Sequence, residues 1–426
     1  MNTKTRRNTM SKRMRITVLS LLLLSYSGYA QDSTTVAVFS DVHYLSPSLA
    51  GKGKALADYE SATGRNTNDM HAILDEVLAN IQQFAPDILL IPGDLTKDGA
   101  RQSHLDFKAK LLPLAKRGTR IFVIPGNHDV NVPTAKKYDG DKTEPVANVS
   151  PGEFADIYAD FGYGNALRRD SASLSYLAAI NDSLWLLCFD TNRYAEYKTS
   201  TISSGRILPQ TLSWTLEILR EAKKSNIKVM GMMHHGLVEH MPYQSTFFAS
   251  YLINDWQKNA AILADAGLKV FFTGHFHAND ASAFTSSAGN TITDVETGSL
   301  AQFPFPYREM VLKKGNLHIS TAFVQSIPGK PFFADEYRQK LEKQINAVAG
   351  NRLSSLGLPL PEDARSALVQ MIVKMNLLHV QGDEVLDDDL RQRIENFGAL
   401  MDDPDIDLKN FQLDFPPADN TLDLCL

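Results

Sequence analysis

Phe271-Phe272-Thr273-Gly274-His275-Phe276-His277 decides how the rest of the chain is read. The mostly apolar run 268–272 has the character of a buried strand, it stops at a glycine, and two histidines follow at i and i+2. In extended or loop backbone that spacing turns both imidazoles toward one side. A single strand-end histidine pair is a modest signal. Its weight comes from four earlier strand ends that also terminate in metal-type ligands.

Residues 34–40 form a β-branched and apolar run that ends at Asp41-Val42-His43. A polar, glycine-containing loop is expected over 45–66. Residues 67–84 then carry Met70, Ile73, Leu74, Val77, Leu78 and Ile81 at helical spacing, with Pro86 as the stop. The run 87–91 leads into Pro92-Gly93-Asp94, with Lys97-Asp98-Gly99 just beyond. After a helix over 104–116, the strand 120–124 ends at Pro125-Gly126-Asn127-His128-Asp129. This is a β-α-β-α-β order with polar residues at the C-terminal strand ends, where open α/β sheets place their ligands.

Residues 132–150 read as a long polar loop over that edge. A hairpin is expected at 173–189, an amphipathic helix over 209–224, and a buried strand over 228–233 that stops at His234-His235-Gly236. A helix over 254–266 precedes the G-H-x-H, and antiparallel strands follow to about 324. Beyond that the pattern turns helical over 332–348, 361–378 and 387–400. Acids outnumber bases from Gly382 onward, which reads as a solvated acidic face and tail.

The first thirty residues stand apart. Lys4, Arg6, Arg7, Lys12, Arg13 and Arg15 precede a short apolar core at 16–24, and Ser27-Gly28-Tyr29-Ala30 supplies small residues before Gln31. This is the layout of a cleaved secretory leader, with an apolar core too short to span a membrane. A periplasmic or secreted protein with no integral membrane span is therefore expected. Loss of those six basic and no acidic residues would take the formal charge from −6 to −12. Such a mean field repels polyanions, so no nucleic-acid partner is expected. Cys188 and Cys425 are far apart and read as unpaired thiols, and cysteine is not the metal ligand.

The strand ends together offer Asp41, His43, Asp94, Asn127, His234, His275 and His277. Carboxylate oxygen with imidazole nitrogen suits borderline metals such as Zn, Mn or Fe. Seven ligands are too many for one ion. One aspartate shared between two ions, with three further ligands on each, accounts for all of them.

D-x-H, G-D, G-N-H-D, a strand-end H and G-H-x-H, in this order over about 35–324, resemble the signature of the calcineurin-like metallophosphoesterases. The resemblance implies an α/β fold, a four-layer α-β-β-α sandwich with two central mixed sheets, and here a C-terminal helical appendage. The corresponding division is a leader over 1–30, the phosphoesterase domain over 31–328 and the appendage with its acidic tail over 329–426. Carried over by motif, Asp41, His43 and His277 hold one ion, Asn127, His234 and His275 the other, and Asp94 bridges. Of the adjacent pair, His234 is assigned as ligand because it directly follows the strand.

The family's chemistry implies a hydroxide between two cations that attacks the phosphorus of a small phosphomonoester or phosphodiester. His128 matches the family's residue that stabilises the transition state or protonates the leaving group. Asp129 or Asp98 is the carboxylate expected to orient it. Two departures narrow the match. The stretch Gly93-Asp94-Leu95-Thr96-Lys97-Asp98-Gly99 lacks the arginine of protein phosphatases, and Lys97 stands where purple acid phosphatases carry a tyrosine. Arg193, Arg206 and Lys97 read first as surface charges and only second as contacts for substrate phosphate. The alternatives are a nuclease of the same superfamily, or a non-catalytic metal-binding protein on the same fold.

Overall fold

A computed structural model describes residues 33–355, 361–401 and 411–426. The expected leader lies outside the described residues.

In chain order the first half contains β1 (Ser33–Val38), α1 (Lys54–Thr63), α2 (Met70–Phe84), β2 (Ile88–Pro92), α3 (Arg101–Lys116), β3 (Arg120–Ile124), β4 (Lys136–Asp139), β5 (Lys142–Pro145), α4 (Pro151–Ile157), β6 (Arg168–Arg169), β7 (Tyr176–Asn181) and β8 (Leu184–Phe189). Next come α5 (Pro209–Lys224), β9 (Lys228–Met233), α6 (Gln244–Phe247), α7 (Trp256–Asp265), β10 (Val270–Thr273), β11 (Ala281–Thr285), β12 (Thr291–Glu296), β13 (Pro306–Lys313) and β14 (Asn316–Phe323). The chain closes with α8 (Phe333–Ser355), α9 (Glu362–His379), α10 (Asp388–Met401) and β15 (Thr421–Cys425).

Two mixed sheets form the centre. The first has the order β15-β14-β13-β1-β2-β3 and the second β11-β12-β10-β9-β8-β7-β6. β1, β2 and β3 run parallel, as do β8, β9, β10 and β12. Their sequences are near-continuous apolar runs because both faces are covered: every residue of β2 (Ile-Leu-Leu-Ile-Pro) and of β10 (Val-Phe-Phe-Thr) is buried. β2 packs on β9 and β3 on β8, so the sheets meet face to face. On the outside, α2 lies on β13 beside α3, and α5 and α7 cover β9 and the β11–β12 hairpin. The result is the expected four-layer sandwich.

The helices follow from local signals. α2 buries Met70, Ile73, Leu74, Val77 and Ile81, one face at helical spacing. α4 starts on a reciprocal capping box between Ser150 and Glu153 with Pro151 in its first turn.

Three expectations need correction. The 45–66 loop contains α1, which buries Leu56 in a small cluster with Leu45, Leu49 and Tyr138. The long 132–150 loop contains the β4–β5 hairpin that delivers Tyr138 to that cluster. The acidic tail is not wholly solvated, because β15 pairs with β14 and ends the chain as an edge strand of the first sheet. Its Thr-Leu-Asp-Leu-Cys alternation buries Leu422 between exposed neighbours.

The three C-terminal helices were legible from their periodicity. α8 is fastened to the domain by Phe333 against Phe305, with ring centroids 4.7 Å apart, and by the Tyr337 hydroxyl, which donates to Asp69 at 2.9 Å. Cys188 is buried, Cys425 is exposed, and both are free thiols. Among the described residues no helix is long and apolar enough to cross a membrane.

Candidate metal centre

Because the parallel strands of both sheets point the same way, their C-terminal ends share one edge of the sandwich. The first sheet brings Asp41 and His43 after β1, Asp94 after β2, and Asn127 and His128 after β3. The second brings His234 after β9 and the pair His275 and His277 after β10. One donor atom from each of Asp41, His43 and His277 lies within 4.8 Å of the other two, and the same holds for Asp94, His234 and His275.

Asp94 stands between the two triples. Its Oδ2 is 3.6 Å from His43 Nε2, and its Oδ1 is 3.4 Å from His234 Nε2. In the first triple, His277 Nε2 lies 3.2 Å from Asp41 Oδ1 and 3.3 Å from His43 Nε2. Asp41 Oδ2 accepts from Ser40 Oγ and the His275 amide, whereas its buried Oδ1 has no hydrogen-bond partner. In the second triple, Asn127 Oδ1 approaches His234 Nε2 to 3.1 Å.

Backbone contacts aim the rings. His234 Nδ1 donates to the Pro92 carbonyl at 2.9 Å, which leaves Nε2 as the nitrogen turned to the centre. His275 Nε2 is turned to the Ser203 carbonyl at 2.8 Å, leaving Nδ1 for the centre. His277 Nδ1 meets Gln302 Oε1 at 3.1 Å, a partner the motifs did not single out. His235 is bound at Nδ1 to the Thr191 hydroxyl, so His234 is the member of the pair that joins the centre.

The motif glycines have a steric cause. A Cβ on Gly126 would sit 2.2 Å from Asp94 Oδ1, and one on Gly274 would sit 2.3 Å from Asp41 Oδ2. The backbone must come this close to hold the carboxylates, and only glycine permits it.

Packing five imidazoles around two carboxylates sorts their charges. Burial opposes a proton on His234, but Asp94 outweighs it and pushes the ring up to about 9. Burial, then the neighbouring His234, pushes His275 down to about 3. Burial lowers His43 as well. Burial works against the Asp41 charge, but His277 and His234 prevail and hold it below the ordinary carboxylate range.

His128 lies at the rim of the same centre. Its amide donates to Asp94 Oδ1 at 2.8 Å, and its ring meets the His43 ring edge-on at 5.1 Å. The expected orienting carboxylates are not in contact with its ring. His128 Nδ1 donates to the Lys97 carbonyl at 3.0 Å. Asp129 instead accepts from the amides of Gly126, Leu95 and Thr96, bracing the β2 and β3 loops. Asp98 is paired with Lys97 Nζ at 2.9 Å. A carbonyl suffices to fix the tautomer, which is why no carboxylate is needed there.

Of the three cations read first as surface charges, the two arginines are ion-paired and Lys97 is buried. Arg193 and Arg206 both pair with Glu196, and Lys97 is buried under the rings of Tyr59 and Tyr138. The guanidinium that reaches the centre is Arg65, whose Nη2 is 3.4 Å from His128 Nε2. It follows α1, outside every motif, and no local pattern marked it.

A sequence profile of the calcineurin-like phosphoesterases matches residues 34–279, more than half of the chain, and the chain belongs to this family of metal-dependent phosphoester hydrolases. Among solved structures, a dimetal phosphatase from Danio rerio is 12% identical, with 68% of this chain and 96% of that chain covered and a TM-score of 0.48. A putative 5'-nucleotidase from Staphylococcus aureus is 15% identical, with 66% and 51% covered and a TM-score of 0.36. The NAD nucleotidase of Haemophilus influenzae is 11% identical, with 68% and 49% covered and a TM-score of 0.34. No curated protein matches the chain.

Proposed function

We propose that the chain is an exported hydrolase of small phosphate mono- or diesters that works with two divalent cations sharing Asp94. The observation that carries this reading is the division of the Asp94 carboxylate, with one oxygen toward His43 and the other toward His234. The donors fit such ions: a buried Asp41 oxygen lacks a partner, and two imidazole nitrogens face each other at 3.3 Å beside it. Asp41, His43 and His277 would hold one ion, Asn127, His234 and His275 the other. Cations there supply Lewis-acid polarisation of phosphoryl oxygens and a water acidic near neutral pH.

The chain's own groups do the rest. Arg65 offers two-pronged hydrogen bonding to a phosphate oxygen at the rim of the centre. His128 donates Nδ1–H to the Lys97 carbonyl, and burial pushes the ring down to about 4, so Nε2 faces the reacting ester with a lone pair; it takes a proton from the attacking water and returns it to the leaving oxygen. Export is inferred from the basic and apolar first thirty residues.

The test uses protein purified from the cell envelope, whose first residue should be Gln31, reconstituted with Mn, Zn or Fe. It should hydrolyse p-nitrophenyl phosphate or bis-p-nitrophenyl phosphate, with a loss of at least about a hundredfold in Asp94→Ala. Absence of turnover of both esters with every metal, in protein that has bound its ions, would sink the reading.

A further inference from the structure

A second group of buried ionisable side chains lies where the C-terminal helices meet the loop carrying His275 and His277. Asp280, three residues beyond His277, is fully buried. Its Oδ1 takes the His240 ring at 2.7 Å, while its Oδ2 has no hydrogen-bond partner among the described residues. Facing it are His379, the last residue of α9, and Glu384 in the turn that follows. His379 Nδ1 is 3.5 Å from Asp280 Oδ2 and 2.6 Å from Glu384 Oε1. One donor atom from each of the three lies within 4.8 Å of the other two. Glu384 also forms a triple within the same limit with Asp414 and Asp419 from the chain's last segment. Glu384 Oε2 and Asp414 Oδ1 are likewise without partners.

The charges do not balance within the protein. The carboxylates of Asp280 and Glu384 meet the one imidazole of His379, and Asp414 and Asp419 lie beside Glu384, with both Asp419 oxygens accepting from the amides of Ala281 and Asp383. The neighbouring cations offset part of this charge but leave Asp280 Oδ2, Glu384 Oε2 and Asp414 Oδ1 without hydrogen-bond partners. His240 lies between Asp280 and Asp294, with Nε2 3.3 Å from Asp294 Oδ2. The Arg308 guanidinium donates to the hydroxyls of Thr297 and Thr321 and to the carbonyls of Asp419 and Glu296. Carboxylate oxygens buried without donors are costly unless a cation joins them. An imidazole nitrogen among oxygens selects the borderline metals, since calcium and magnesium take oxygen ligands.

We propose that Asp280, His379 and Glu384, with Asp414 beside them, bind a further divalent cation of the zinc or manganese class. This ion is separate from the centre around Asp94. It fastens the C-terminal helices to the loop that bears His275 and His277, so the appendage braces the catalytic edge. The His379 ring already meets the ring of Phe276 edge-on, with centroids 5.4 Å apart, between those two ligands.

Metal content after zinc loading and desalting tests this by elemental analysis. Asp94→Asn with His43→Ala and His234→Ala disables both halves of the first centre and should leave about one tightly bound equivalent. Adding Glu384→Gln or His379→Gln to that background should remove it. On the wild-type background the same two changes should lower the total by about one and lower the melting temperature in metal but not in chelator. An unchanged total in both variants overturns the proposal, whereas equal totals in wild type and in the Asp94 variant count against the first centre instead. If the variants fail to fold, anomalous scattering at the zinc edge from wild-type crystals decides. A peak between Asp280 and Glu384 supports the site, and its absence overturns it.

Discussion

Asp94 has a φ of +46°, and Asp41, His43, His275 and His277 also have positive values, of 52°, 47°, 78° and 66°. Left-handed backbone costs a non-glycine residue about 1–2 kcal/mol. Five of the seven candidate ligands bear that strain at one edge of the fold, and such strain persists only where the surroundings over-determine it. The strand-end motifs were legible because donor type and glycine placement are both local properties. Arg65 and Gln302 were not, because only tertiary packing brings them to the centre. Arg65 carries the sharpest prediction at this scale. Arg65→Ala should lower kcat/KM by about 10- to 100-fold through loss of a charged contact to phosphate, with Arg65→Lys in between. Steady-state kinetics on the preferred ester check this, and unchanged kinetics in Arg65→Ala would contradict the role.

The elements read most clearly were those with one strong period. β2, β3, β9 and β10 are short apolar runs ended by ligands, and α8, α9 and α10 repeat at helical spacing. α1, β4 and β5 escaped because each is short and polar and gains its stability from the Tyr138 cluster. β15 escaped because five alternating residues in an acidic stretch resemble a solvated tail.

One element also carries a pH dependence. His104 on α3 meets the Asp129 carbonyl at 2.9 Å and the Tyr158 hydroxyl at 3.0 Å, tying α3 to the β3 loop and to the end of α4. Burial pushes it down to about 4, only partly offset by the bond to Asp129. The unfolded chain therefore takes up a proton near pH 6.5 that the folded protein refuses until about pH 4. Stability from this group is complete above pH 6.5 and falls by roughly 3 kcal/mol as pH drops to 4. Urea unfolding of wild type and His104→Gln at pH 7 and pH 4.5 checks it. The stability advantage of wild type should shrink by roughly 2 kcal/mol at the lower pH, and a constant difference would refute the assignment.

At the scale of the whole molecule, two sheets pack so that parallel strands from each end on the same edge, and neither sheet holds a complete centre alone. The first contributes both carboxylates and the second three imidazoles, so the ligands assemble only when the sandwich closes. The C-terminal segment returns through β15 to the first sheet and through His379 to the loop of the second. The central claim is that Asp94 joins two ions into one centre. Electron paramagnetic resonance of the manganese-loaded protein tests it most directly, in a Glu384→Gln background that removes the outlying cation site. The account predicts a spin-coupled signal from about two bound manganese ions, replaced in Asp94→Ala by isolated ions or none. A signal from isolated manganese alone, with Asp94 intact and the metal saturating, would contradict it.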